Sequence, residues 1–291
     1  SYNGNSYRQK EEALFYELAD QLKAMGVLKD YIVTESNSDN ATQASQIQSL
    51  ILKGVDAIIV DPGSPTALNS AIEEAWDAGV PCVIVNGGPV TTDKCYQINF
   101  DYKGSIMPAA QYVADRLGGK GNVLISRGIA GVPSDTGFYE GMREVLDQYP
   151  DIKIVASQTA NFKRTEGMSV TENLIQKYTD VQGVIGCNDE SALGAVQALK
   201  AAGMNDVLVA GFDGSVDATN AVESGEMFAT YNTDPYGSGY IACAYAVKYL
   251  NDGTEPEGKF IPFPTAANDP LITSESVANY KENIAWWKVI Q

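Results

Sequence analysis

Short apolar runs rich in β-branched residues alternate along this chain with longer stretches whose apolar positions recur every three or four residues. Tyr31–Thr34, Ala57–Val60, Cys82–Val85, Asn122–Ile125, Ile152–Val155, Gly183–Gly186 and Val207–Ala210 read as strands. Their near-continuous apolar character, rather than strict alternation, is the pattern of parallel strands covered on both faces. Between them Leu14, Leu18, Leu22 and Met25 form one helical stripe, and Leu68, Ile72 and Trp76 a second. Ala192, Ala195, Val196 and Leu199 form a third at helical spacing. Gly26, Gly54, Gly79 and Gly203 follow helical stretches, where a left-handed C-cap is favoured. The βαβα order predicts parallel sheets with right-handed crossovers.

Residues 54–88 (GVDAIIVDPGSPTALNSAIEEAWDAGVPCVIVNGG) are echoed by residues 180–214 (DVQGVIGCNDESALGAVQALKAAGMNDVLVAGFDG). Each copy reads as strand, polar turn, Ala-rich helix, glycine cap and second strand. The doubling predicts two α/β lobes rather than one large sheet. Ligands of open α/β sheets sit beyond the carboxyl ends of the strands. Those ends carry Asp61, Asn86, Asn188 and Asp213, two from each copy. Asp and Asn also cap helices and shape turns, the favoured role for Asp61 before its proline. As a set, these amides and carboxylates suit recognition of hydroxyls more than of phosphates.

Composition narrows the chemistry. The 291 residues include 20 Lys and Arg against 37 Asp and Glu, a formal net charge of −17. Such a surface repels nucleic acid and anionic lipid. There is no histidine, which removes Ser-His-Asp and Cys-His machinery and most zinc and non-haem iron sites. Cys82, Cys95, Cys187 and Cys243 show no CxxC spacing. Packed thiols are the favoured reading, with a Cys82–Cys95 disulfide as the alternative. A GxGxxA string at Gly237, Gly239 and Ala242 lacks the surrounding nucleotide-binding unit. Trp286 and Trp287 read as packing residues of a terminal helix. No apolar run reaches the roughly 18 residues of a membrane span. Binding is favoured over catalysis, and no cofactor or metal is called for.

At GIAG (Gly128–Gly131), NDESALGA (Asn188–Ala195) and GFDG (Gly211–Gly214) the chain resembles the type I periplasmic sugar-binding proteins of ABC transporters. The likeness is to the ribose/galactose group, whose lobes are shared with LacI-type repressors. It covers essentially the whole chain and implies two Rossmann-like lobes with parallel sheets, joined by a three-strand hinge and closing on a sugar. The implied lobes are 1–100 plus 234–267 and 101–233 plus 268–291. The resemblance also places Ser1-Tyr2-Asn3-Gly4 already inside the first binding loop, so the family's first strand is expected upstream.

The resemblance assigns site residues position by position. Asn5, Tyr7 and Arg8 correspond to the first binding loop, with Arg8 standing where the ribose-binding pattern has an aromatic. Asn86 occupies a place often held by Asp, and Gly87 replaces the arginine that follows. Phe138 stands where a ring-binding arginine is common, with Asp135 nearby. Phe162 and Arg164 match an aromatic-x-Arg segment, Phe162 being the expected sugar stacker. Asn188 and Asp213 match directly, and Thr233 lies where a glutamine is often found. Rings cover the apolar faces of an aldose while amides, carboxylates and guanidinium bind its hydroxyl rim. The implied protein is a monomeric extracytoplasmic receptor, periplasmic or lipid-anchored, that delivers a pentose, hexose or polyol to an ABC permease. A LacI-type effector domain and a sugar-sensing receptor for signalling share the same lobes and are the alternatives; an enzyme on a Rossmann-like scaffold is a weaker one.

Overall fold

The computed structural model describes residues 6–86, 88–233, 242, 243, 246, 250, 260–262 and 271–284. These divide between two compact units, one within Arg8–Phe100 and Pro235–Pro264, the other within Asn5–Tyr7, Asp101–Asp234 and Thr265–Gln291.

The first unit holds α1 (Ser6–Ala24, counted here from Arg8), α2 (Asn40–Lys53), β1 (Ile58–Val60), α3 (Asn69–Asp77), β2 (Cys82–Ile84), β3 (Tyr96–Asn99) and the late strand β9 (Phe260–Pro262). Its four-stranded sheet runs β1-β2-β3-β9, parallel throughout, with Ile58 beside Cys82, Val83 beside Tyr96 and Gln97 beside Phe260. The period of two in β2 explains its unbroken apolar run. Cys82 and Ile84 pack with Ile47 and Leu50 of α2 and with Leu68 and Ile72, while Val83 and Val85 pack with Tyr96, Ile98, Ala242 and Ala246. Both faces are therefore dry.

The second unit contains α4 (Tyr102–Arg116), β4 (Lys120–Arg127), α5 (Pro133–Leu146), β5 (Asp151–Thr159), α6 (Arg164–Lys177), β6 (Gly183–Gly186), α7 (Asp189–Ala201), β7 (Leu208–Ala210), α8 (Val216–Ser224), β8 (Ala229–Tyr231) and β10 (Leu271–Thr273). Six strands lie in the order β10-β8-β7-β6-β4-β5, with only β10 antiparallel to its neighbour. Leu124, Val184, Val209, Ala195, Leu199 and Ile272 share one core cluster. Helices α6 and α7 approach closely because they meet at glycines. A Cβ on Gly194 would lie 2.2 Å from the Arg164 carbonyl oxygen, and one on Gly167 would lie 2.5 Å from that of Ser191. That contact sets the first turns of both helices side by side.

Local signals for helix ends hold well. Gly26, Gly54, Gly79 and Gly203 have φ of 73°, 72°, 78° and 73°. Tyr31–Thr34 differs from its expected strand: it pairs with no strand among the described residues, and Ile32 and Val33 are 47% and 45% exposed. An apolar run becomes a strand only where a neighbour supplies ladder partners; here Tyr31 instead donates its hydroxyl to Asp20 of α1 at 2.8 Å and meets Tyr16 edge-on. Conversely β3, β8, β9 and β10 escaped the hydrophobic pattern, being short runs that mix apolar with polar or proline residues. All four cysteines are thiols in this structure, with Cys82, Cys95 and Cys187 buried. Burial pushes the Cys82 thiol up to about 12, with Cys95 adding to the shift. Trp286, Trp287, Gly237 and Gly239 lie outside the described residues.

Candidate functional site

In the first unit the ends of β1 and β2 lead into Asp61 and Asn86, and both meet the first turns of α1. The Arg8 guanidinium lies 2.8 Å from the Glu11 carboxylate and 3.0 Å from that of Asp61. Glu11, only 5% exposed, also accepts a hydrogen bond from the Asn86 side-chain amide. Asn86 adopts a left-handed φ of 42°, which its short amide side chain tolerates. The loop after β1 is pinned from α2: Gln43 donates to the Asp61 carbonyl at 2.7 Å and accepts from the Gly63 amide at 3.1 Å. One guanidinium thus faces two carboxylates, an arrangement already neutralised against anionic ligands.

In the second unit four strand ends converge chemically. Asn188 follows β6 and caps α7, accepting from the Ser191 amide at 3.0 Å and donating to the Phe162 carbonyl at 3.1 Å. Asp213 follows β7 with φ of 134° and is 8% exposed. Thr233, also buried, donates its hydroxyl to the Asp213 carbonyl at 3.3 Å. Phe162, after β5, has φ of 58° and succeeds Asn161 at 52°. A left-handed backbone at a bulky aromatic costs on the order of 1–3 kcal/mol and persists only where surrounding contacts impose it. Arg164 opens α6 and contacts Glu190 at 2.8 Å and Asp217 at 2.7 Å, joining the first turns of α6, α7 and α8.

Beneath these loops lies Asp189, 0% exposed. It accepts from the Ser215 amide at 2.7 Å and from the Thr230 hydroxyl at 2.5 Å, tying the turn after β6 to the turn after β7 and to β8. Burial raises its carboxyl to about 6, and the bonds from Thr230 and Ser215 oppose that rise. Among the described residues no group of His, Cys, Asp and Glu is placed to hold a metal, and no helix is long and apolar enough to cross a membrane.

The paired parallel sheets, with amides, carboxylates and one strained aromatic at their carboxyl ends, match a known architecture. The sequence model of the periplasmic binding protein domain matches residues 1–255. The chain belongs to the periplasmic binding protein family. Among its relatives, the xylitol-binding protein of Mycolicibacterium smegmatis is 40% identical over 202 residues, covering 69% of this chain and 58% of that protein. This chain therefore spans somewhat more than half the length of that relative. The ribose import binding protein RbsB of Bacillus subtilis is 35% identical over 76% of this chain and 71% of the relative. An ABC transporter solute binding protein from Bacillus halodurans C-125 with bound myo-inositol superposes with a TM-score of 0.87 at 29% identity, covering 97% of this chain and 95% of that one.

The positions singled out in this periplasmic binding protein take distinct places. Arg8 and Asn86 share one polar cluster with Asp61, as above. Phe162, Asn188, Asp213 and Thr233 share the carboxyl-end loops of the second unit, with Arg164 beside them. Asp135 is 1% exposed and accepts from Arg127 Nε at 3.1 Å, Arg127 Nη2 at 2.5 Å and the Gly128 amide at 2.9 Å. Phe138, 5% exposed, packs edge-on against Tyr102 at 5.4 Å and against Phe212 at 4.6 Å, and Phe212 stacks on Tyr231. Tyr7 falls in the first turn of α1; Asn5 and Gly87 lie outside the described residues. Glu11, Gln43, Arg127 and Asp189 were not singled out from sequence. Only Asp189 carried a signal, as the middle residue of the NDE motif.

Proposed function

We propose that this periplasmic binding protein is the extracytoplasmic receptor of an ABC importer and captures an uncharged polyhydroxylated molecule, a pentose, hexose or polyol. The observation that carries the reading is the set of residues following β5, β6 and β7, where the loops supply the Phe162 aromatic, the Asn188 amide and the Asp213 carboxylate, with Asn188 bonded to the Phe162 carbonyl. A ring covers the C–H face of a sugar, and a carboxylate accepts two hydroxyls in charge-assisted bonds. The relatives support this class, since two are named for binding xylitol and ribose and a third holds myo-inositol. In the first unit Arg8 and Asn86 are assigned to hydroxyl recognition as well. Each guanidinium near a strand end already faces a carboxylate, Arg8 with Glu11 and Asp61, Arg127 with Asp135, and Arg164 with Glu190 and Asp217. Such pre-paired cations favour neutral ligands over sugar phosphates and sugar acids.

The partner in this reading is the membrane permease of the importer, and the protein works by binding without chemical conversion of its ligand. Its place is the periplasm or, lipid-anchored, the outer face of the cell membrane. Titration calorimetry of ligand-stripped protein against pentoses, hexoses, inositols and linear polyols tests the proposal. Saturable binding near micromolar, about −8 kcal/mol, is expected for one of them. Asp213→Ala should then weaken binding by at least about 2 kcal/mol at unchanged circular dichroism. Well-folded protein that binds no member of the panel, or an Asp213→Ala variant with wild-type affinity, would overturn the reading or its centre.

A further inference from the structure

The ring of Phe162 lies against the bare α-carbon of Gly128. A Cβ built there would fall 2.0 Å from Phe162 Cζ and within 2.6 Å of both Cε atoms. Gly128 is therefore the floor on which the ring rests, and its neighbours anchor that floor. The Gly128 amide donates to Asp135 at 2.9 Å, and Arg127 grips the same carboxylate with Nε and Nη2 at 3.1 and 2.5 Å. The Arg127 guanidinium in turn lies over the Tyr139 ring, 4.2 Å from its centroid. The backbone closes the arrangement, since the Ala160 amide donates to the Arg127 carbonyl at 2.8 Å. That bond links the last residue of β4 to the turn that carries Phe162.

We propose that Arg127, Gly128 and Asp135 form a positioning device for the Phe162 ring, with Gly128 as its seat and the buried Asp135, paired with the partly exposed Arg127, as the anchor of that seat. The proposal rests on the reading that Phe162 covers a face of the ligand. It explains why an aromatic residue holds a left-handed backbone here: the Phe162 ring rests on Gly128 while Asn188 holds the Phe162 carbonyl. It also gives Asp135 a role through the ring, without contact to the ligand. A carboxylate that already accepts three hydrogen bonds at 1% exposure has little capacity left for hydroxyls.

Gly128→Ala is a clean probe. Gly128 has no left-handed φ, and the three atoms nearest an added Cβ belong to the far end of the Phe162 side chain, so the ring is expected to swing aside while the fold persists. Binding of the sugar or polyol selected by the titration panel should weaken at least tenfold in Gly128→Ala. In a Phe162→Ala background the same substitution should change affinity less than twofold, because the ring it displaces is gone. Equal losses in both backgrounds, or wild-type affinity in Gly128→Ala, would overturn the proposal. A second readout needs no ligand: a nuclear Overhauser contact between the Gly128 α-protons and the Phe162 ring protons. It should be present in the wild-type protein and weakened in Asp135→Asn; undiminished contact in Asp135→Asn would overturn the anchoring role. Failure of every panel member to bind would count against the receptor function, whereas the ring contact reports on the seat alone.

Discussion

In β1-α3-β2 the helix starts after Leu68 with no side-chain cap, and the polar strand-end residues are gathered by Arg8, Glu11 and Gln43 from other helices. In β6-α7-β7 the helix is capped by Asn188, and Asp189, the next residue, pins the following turn through Ser215 and Thr230. The two βαβ segments share a parallel connection and a similar run of residues. They differ in whether the loop is held by a fully buried carboxylate or by contacts that include the partly exposed charges of Arg8 and Asp61. A buried carboxylate at 0% exposure commits its loop to one arrangement, because any other leaves a charge desolvated and unmatched. Side chains such as Arg8, about a fifth exposed, pay less for rearrangement, because water can replace a lost partner.

The largest expected difference is at Asp189. Asp189→Ala leaves the Ser215 amide and the Thr230 hydroxyl without their acceptor in a dry site, and should cost about 2–4 kcal/mol by denaturant unfolding. The pH dependence sharpens the point. The carboxyl is held at about 6 when folded, against roughly 3.9 in an unfolded chain. Between those values the folded protein keeps a proton that the unfolded chain has released, so this group's contribution falls as pH rises from about 4 to about 6. Asp189→Asn cannot titrate. Its stability relative to wild type should therefore climb by roughly 2–3 kcal/mol across that window and then level off; parallel stability curves would refute the assignment.

In the first unit, Glu11→Ala should cost about 1–2 kcal/mol, because Asn86 loses its acceptor while Arg8 keeps Asp61. A loss as large as that of Asp189→Ala would erase the distinction between the two loops. The smallest effect belongs to Gln43→Ala, about 0.5–1.5 kcal/mol, since it removes two neutral bonds to backbone around Asp61 and Gly63 at the edge of the unit. Hydrogen exchange at the Gly63 amide should speed up in that variant and not in Glu11→Ala.

Helix termini, the buried strands and the NDE and GFDG turns were legible in the sequence because their causes are local. A glycine tolerates a left-handed φ, an Asn caps the helix it precedes, and a strand buried on both faces shows an unbroken apolar run. Partner choice was not legible. Asp135 is spoken for by Arg127, eight positions back on another element, and Phe138 joins Phe212 and Tyr231 in an aromatic stack built across distant segments. Glu11, which gathers Arg8 and Asn86, reads in the sequence as one more acidic residue on a helix.

By itself, then, the order of residues determined the alternation of strands and helices, the paired βαβ design and the chemical type of residue at each strand end, all consequences of periodicity and backbone preference. Tertiary structure alone decided which partners those polar groups meet within the fold. Tyr31–Thr34 is not a strand among the described residues, and Phe162 lies where Gly128 leaves room for its ring. Hydrogen-bond partners and van der Waals space are supplied by whatever segments arrive nearby, and a residue's own neighbours in the chain do not specify them.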